Sequence, residues 1–130
     1  MAGNTWPSDY PTHIKVPPVE AKTAKIKLYR MVENSPPIKD DFVASYKDPR
    51  QKNLINNPRF RNMPKFYGTS CNLRSEPLAD LIADHPQKFS KKIIALGEVD
   101  ETHGLLHQDH ETHVSVWFYD GVYPKGFQKI

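Results

Sequence analysis

The chain has 130 residues, of which 38% are hydrophobic and 25% charged, values that fit one soluble globular domain. No apolar run approaches the roughly 20 residues that cross a bilayer. Residues 1–18 also lack the charged-then-apolar order of a signal peptide, so we expect a cytoplasmic protein. The single cysteine, Cys71, excludes an internal disulfide and a zinc site built mainly from thiolates.

Charge is divided unevenly along the chain, which has a formal net charge of +3. Residues 1–65 carry 12 Lys and Arg against 6 Asp and Glu, whereas residues 66–130 carry 6 against 9. The basic half could meet a phosphate-bearing or acidic partner, or its charges could intermix with the acidic half in the fold. No nucleic-acid-binding signature accompanies its basic and aromatic residues, so nucleic acid is an unsupported partner.

The first segment, residues 1–24, contains four prolines and is predicted to be an extended or disordered tail. Trp6 and Tyr10 would anchor it if it drapes over the domain, which we expect to span residues 25–130. In this domain the first strand is predicted over residues 25–32, KIKLYRMV.

Alternation in that strand places Arg30 on the same face as Leu28 and Val32. A charge on an apolar face is costly unless it meets a carboxylate, several carbonyl groups or a bound anion. Two interpretations therefore remain for Arg30: an ion pair with an internal Asp or Glu, or a ligand-binding residue.

Two helices and three further strands are predicted after the first strand. Apolar residues at helical spacing indicate a short amphipathic helix within residues 38–46, and Ser75 begins a second helix at about 76–84. Residues 66–71 read as a strand whose Gly68 permits another group to approach closely. Residues 91–99 and 112–119 follow as strands, and the C-terminal segment is expected to be a loop or a frayed edge.

Four histidines lie close together in the sequence, three in the segment that we predict to be a loop between the last two strands and one at the start of the last strand: His103, His107, His110 and His113. Imidazole and carboxylate groups at such short spacing can bind zinc or another divalent metal. If a metal binds, His107, His110 and His113 are the ligands to test first. The alternative is a solvated polar loop.

The last strand combines a histidine with large aromatic residues on one predicted face. His113, Ser115, Trp117 and Tyr119 share that face, and Val114, Val116 and Phe118 share the other. Such a face could be the wall of a pocket, with rings to stack on a base and an imidazole to exchange a proton, or an exposed surface. Glu98, at the end of the preceding strand, could pair with Arg30 or serve as a general acid or base.

The order of short motifs from residue 28 to residue 117 resembles a group of small bacterial and phage proteins for which no activity is established. The shared pieces are Arg-x-Val, Pro-Pro, Asp-Phe-x-x-Ser, Gly-x-Ser and His-x-x-x-Trp. This resemblance leaves out the tail and the histidine-rich segment. It implies the boundaries of a domain rather than an activity.

A second resemblance is to ADP-ribosyltransferase-like folds, in which a first-strand arginine, a Ser-Thr-Ser-like second strand and a later glutamate bind NAD. The matching positions are Arg30, Thr69 with Ser70, and Glu98. The resemblance implies that Arg30 holds the pyrophosphate and that Glu98 polarises the ribose, whereas the sequence lacks the Gln/Glu-x-Glu pair that marks the catalytic strand. His113 and Trp117 would contact the ribose or base.

The fold expected from these patterns is α+β, with a mixed or mainly antiparallel sheet of four or five strands and two short helices. The leading hypothesis for function is an ADP-ribosyltransferase-like domain that binds NAD, in a small phage or bacterial effector. A non-enzymatic immunity or inhibitor protein that binds a protein or nucleic-acid partner through its basic half is the alternative. A metal-dependent hydrolase built on residues 103–113 is a third hypothesis.

Overall fold

Within residues 4–130, which the computed structural model describes, six strands form one antiparallel sheet. Their order across the sheet is β4-β5-β2-β1-β3-β6. The strands are β1 (Ile26–Val32), β2 (Thr69–Asn72), β3 (Ile93–Val99), β4 (Gly104–His110), β5 (His113–Phe118) and β6 (Gln128–Lys129). The α+β prediction is confirmed, and the strand count exceeds the predicted four or five.

The core lies on one face of the sheet, where apolar residues at alternating positions along the strands pack together. Leu28 and Val32 of β1 meet Val114 and Val116 of β5 there, all of them almost fully buried. The alternation predicted for β5 therefore matches the packing, because Val114 and Val116 face the core whereas His113 and Ser115 face a cavity on the molecule.

Two α-helices lie in the described residues 4–130, and only the second was predicted. Helix α1 (Pro58–Arg61) is a single turn, and helix α2 (Glu76–Asp84) has the predicted bounds. Two short 3-10 turns, Lys52–Asn56 and Pro64–Tyr67, lie on either side of α1 in the connection before β2. The predicted strand at 66–71 is thus shorter and begins at Thr69, after Gly68, whose added Cβ would lie 3.1 Å from the indole of Trp117.

The helix predicted over residues 38–46 is wrong, because the segment forms two 3-10 turns, Lys39–Phe42 and Ser45–Lys47. The carbonyl groups that a continuous helix would use internally have tertiary partners instead. The Asp41 carbonyl accepts from Arg30 at 2.7 Å, and the Phe42 carbonyl accepts from the Thr69 hydroxyl at 2.8 Å. These longer-range bonds outweigh the local helical pattern.

The predicted histidine-rich loop is also wrong, because most of it forms strand β4. This strand pairs with β5 through a two-residue turn at Glu111 and Thr112, where Glu111 has a positive φ of 42°. The register shifts between Gln108 and His110, so that Asp109 is an extra residue on the β4 side. Such a β-bulge redirects side chains near the end of a strand.

Residues 4–24 have little regular structure and pack along the domain. Trp6 lies against Tyr119 with ring centroids 4.7 Å apart, and Asp9 accepts a hydrogen bond from the Tyr46 hydroxyl at 2.6 Å. Lys22 forms an isolated antiparallel bridge with Leu106 of β4. No helix in residues 4–130 combines the length and apolar character that crossing a bilayer requires.

Candidate functional site

A cavity of about 590 Å³ is lined by residues of β1, β2, β5 and α2 together with the irregular connection before β2. Arg30, Ser70 and His113 all line it. Sequence alternation could not establish this convergence, since it needs the neighbouring order of β1, β2 and β5 in the sheet.

Arg30 lies on β1 beside β2, and the two strands pair at only one register position, Tyr29 with Asn72. Its Nε donates to the Asp41 carbonyl at 2.7 Å, and its Nη1 donates to the Ser70 carbonyl at 2.6 Å. No carboxylate in the described residues 4–130 forms an ion pair with it, so the cation is held by main-chain oxygens. Burial lowers the pKa of Arg30, against the opposing effect of nearby Cys71, Asp48 and Asp41, but a guanidinium remains charged at neutral pH.

Ser70, His113 and Asp109 form a chain of hydrogen bonds, and the Ser70 end of this chain lies in the cavity. The Ser70 Oγ lies 2.6 Å from His113 Nε2, and His113 Nδ1 lies 2.5 Å from Asp109 Oδ1. The other carboxylate oxygen of Asp109 accepts from the Ser115 hydroxyl at 2.6 Å. Strand pairing fixes these positions, because Ser70 is opposite Ser115 and Asn72 is opposite His113 in the β2–β5 ladder.

Asp109 remains ionised because its hydrogen bonds outweigh its burial. Burial acts to raise the pKa of this carboxyl, but hydrogen bonds from Ser115 and His113 and the charges of His113 and Lys65 lower it below the ordinary range. An ionised carboxylate can only accept hydrogen bonds, so His113 donates to it through Nδ1.

The cavity lining combines several cationic residues with aromatic and aliphatic ones. Five Lys and Arg residues line it against one carboxylate, Asp48. Those cations are Arg30, Arg50, Lys65, Lys88 and Lys92. Glu33 compensates for part of this charge, since its carboxylate lies 3.6 Å from Arg50 and 3.4 Å from Lys92. Phe60, Phe66 and Phe89 contribute aromatic surface to the same cavity.

Three of the residues predicted to bind or act on NAD do not line this cavity. Thr69 is buried, donates to the Phe42 carbonyl and lines a smaller cavity of about 180 Å³. Trp117 is buried and donates through Nε1 to the Pro64 carbonyl at 3.1 Å. Glu98 is exposed on β3, opposite Lys27 of β1.

The histidines predicted to bind a metal do not form a cluster. His113 is committed to Asp109 and Ser70, while His107 lies opposite Ser115 in the β4–β5 ladder. His110 is exposed next to the hairpin turn. Over the whole described range, 4–130, no group of three or more His, Cys, Asp or Glu side chains is placed to hold a metal ion.

Asp109 is the site residue that sequence reasoning missed. It was one of several acidic residues in a segment predicted to be a loop, and nothing in that segment marked it as the partner of His113. The available signal was the short spacing from Asp109 to His113 and Ser115 across a two-residue turn. A strand with a bulge would have had to be recognised first.

Comparisons of the chain with protein-family models, with curated proteins and with solved structures find no match. The function of the cavity is therefore inferred from the residues that line it.

Proposed function

We propose that the cavity binds a nucleotide of the NAD type and that the chain is an ADP-ribosyltransferase-like domain. The observation that carries the proposal is the convergence of Arg30, Ser70 and His113 on one cavity. Arg30 is the residue expected to hold a pyrophosphate, and within residues 4–130 it forms no ion pair with a carboxylate that would compete with a ligand. Arginine suits this role because its planar set of donors matches phosphate oxygens.

The chemistry of the cavity wall supports an anionic ligand with an aromatic portion. Five cations against one lining carboxylate favour phosphate groups, and the phenylalanine rings offer surface on which a base can stack. The volume of about 590 Å³ falls within the roughly 300–1,000 Å³ that is usual for sites of small ligands.

The proposed roles differ from those implied by the resemblance, because Glu98, Thr69 and Trp117 lie outside the cavity lining. We assign Arg30 to the pyrophosphate and Ser70 to the ribose. In this proposal His113 is the group that meets the reacting ribose. A small bacterial or phage effector is the kind of protein in which we place this activity.

Isothermal titration calorimetry with NAD tests the proposal most directly. We expect binding that weakens as salt increases, because the cavity is cationic. Arg30→Gln should weaken it by about tenfold to a hundredfold, the value of a hydrogen bond to a charged group. Lys65→Gln, at an exposed lining residue, should also weaken it, and Lys129→Gln on β6 is the matched control because Lys129 lines neither cavity.

Mass spectrometry of the same mixtures, with and without a cell extract, reports whether NAD is consumed. Absence of any heat with NAD at low and high salt, together with intact NAD after incubation, would contradict the proposal. Equal affinity of the wild type and the Arg30 and Lys65 variants would contradict the assignment of the pyrophosphate site.

A further inference from the structure

The hydroxyl of Ser70 contacts a histidine that is itself held by a carboxylate. This order of groups, hydroxyl to imidazole to carboxylate, is the one that activates serine nucleophiles. We propose that Ser70 is a nucleophile, that His113 is its general base and that Asp109 is the positioning residue for His113.

The hydrogen-bond pattern is compatible with the tautomer that this role requires. Asp109 is ionised and accepts from His113 Nδ1. In a neutral ring with its proton on Nδ1, Nε2 is an acceptor, and the Ser70 Oγ lies 2.6 Å from this atom. That distance is within the range that general-base catalysis needs.

Ser70 differs from the other serines of the cavity in both exposure and partner. Ser115 is 1% exposed and its hydroxyl donates to Asp109, so this hydroxyl is engaged in orienting the carboxylate. Ser45 lines the cavity but lies in a 3-10 turn away from any imidazole contact in residues 4–130. Ser70 alone of the three combines an exposed hydroxyl with a histidine, and the bond from Arg30 to its carbonyl holds its backbone in place.

The choice of electrophile rests on the proposed function, in which the bound ligand is NAD. The Ser70 Oγ attacks C1′ of the nicotinamide ribose, and the bond from C1′ to the ring nitrogen breaks. Nicotinamide leaves as a neutral molecule with the bonding electron pair, while the hydroxyl proton passes to His113 Nε2 and then to solvent. Water, deprotonated by His113, next attacks C1′, and that proton returns to the Ser70 oxygen as the bond between Oγ and C1′ breaks.

A fluorophosphonate probe tests the nucleophile without any assumption about NAD. The Ser70 Oγ would form a bond to phosphorus, fluoride would leave, and the hydroxyl proton would pass to His113. Intact-mass measurement and peptide mapping should find one phosphonate on Ser70 in the wild type and none in Ser70→Ala. Ser90→Ala is the matched control, because Ser90 is exposed and lines neither cavity, and it should be labelled at the wild-type rate. Thermal unfolding should establish that all variants are folded.

His113→Gln and Asp109→Asn separate catalysis from binding in the same assay. The maximal labelling rate should fall by about a hundredfold or more, the usual contribution of a general base, while the half-saturating probe concentration stays the same. If Asp109 contributed only to folding, a folded Asp109→Asn variant would not show a lower maximal labelling rate at an unchanged half-saturating probe concentration.

The possible results distinguish this inference from the proposed function. Labelling at Ser70 without NAD cleavage supports the nucleophile and counts against NAD as the substrate. NAD binding with no labelling of the wild type, or with equal labelling of Ser70→Ala, overturns the nucleophile and leaves the binding site standing. Labelling together with NAD cleavage that is lost in Ser70→Ala supports both.

Discussion

Arg30 donates from Nη1 to the main-chain carbonyl of Ser70 across 2.6 Å, which ties β1 to the strand that carries the exposed hydroxyl. The same guanidinium donates from Nε to the Asp41 carbonyl. One side chain therefore connects β2 to the 3-10 turn at Lys39–Phe42, next to the single position at which β1 and β2 pair.

Arg30→Lys should destabilise the fold although it keeps the positive charge. An ammonium group cannot reproduce the fork that serves both carbonyls, so at least one loses its partner, at a cost of about 1–3 kcal/mol in the free energy of unfolding. Urea denaturation measures the difference. Arg50→Lys, at an exposed residue that lines the same cavity, is the control and should change the free energy of unfolding by less than about 0.5 kcal/mol. Equal losses in the two variants would contradict the structural role of Arg30.

Asp41→Asn should also destabilise the protein, because the buried carboxylate accepts three hydrogen bonds. The donors are the backbone amides of Glu33 and Ile38, both at 2.8 Å, and the side chain of Asn34 at 3.1 Å. An amide offers one accepting oxygen instead of two, so we expect a loss of about 1–3 kcal/mol in the free energy of unfolding. Asp40→Asn, at the exposed neighbouring position, is the matched control.

The stabilisation by Asp41 should depend on pH in a defined direction. Burial acts to raise the pKa of Asp41, but the hydrogen bonds from Glu33, Ile38 and Asn34 lower it below its ordinary value. A carboxyl with a lowered pKa in the folded state stabilises above its unfolded pKa of about 3.9, and this contribution is lost as pH falls through the folded pKa. The advantage of wild type over Asp41→Asn should be constant near neutral pH and shrink in acid. A difference that grows on acidification would contradict this account.

Gly97→Ala should destabilise the sheet because Phe127 packs directly on the glycine. An added Cβ would lie 2.2 Å from the Phe127 ring and 2.8 Å from its Cα, so the backbone would have to shift. Overpacking of this kind costs about 1–3 kcal/mol, which thermal or urea unfolding can measure. Gly126→Ala is the control, since an added Cβ there meets nothing within 4 Å. Similar melting temperatures for the two variants would show that Phe127 moves aside freely.

Cys71 should be unreactive in the native protein. Burial raises the pKa of its thiol to about 11, despite the opposing charge of Arg30, so the reactive thiolate is scarce at neutral pH. A colorimetric thiol reagent should modify the side chain only as fast as the protein unfolds, and at once in concentrated denaturant. Complete modification of folded protein within seconds would contradict the burial of this residue.

The parts of the fold that follow a strict period could be predicted from sequence. The alternation of β5 separated His113 and Ser115 from Val114 and Val116 correctly, and Ser75 indicated where α2 begins. Prediction succeeded in these segments because the local pattern and the tertiary packing require the same conformation.

The parts that depend on distant partners could not be predicted. Residues 38–46 have helical spacing, but Arg30 and Thr69 take the carbonyl bonds that a helix would need. The bulge that places Asp109 beside His113 leaves no signature in the local sequence. The sequence left two interpretations for Arg30, an ion pair or a ligand-binding residue, and its contacts with two main-chain carbonyl groups depend on residues distant in sequence.

The bridge between Lys22 and Leu106 affects whether this protein can associate with other copies of itself. Strand β4 ends the sheet on one side, and Leu106 exchanges both of its backbone hydrogen bonds with Lys22, at 2.9 Å and 2.8 Å. An uncovered border strand offers its amides to any other chain that can add a strand. Lys22 thus occupies the backbone groups of Leu106 that a strand of another molecule would use, and removal of the N-terminal segment should free them for association through this border.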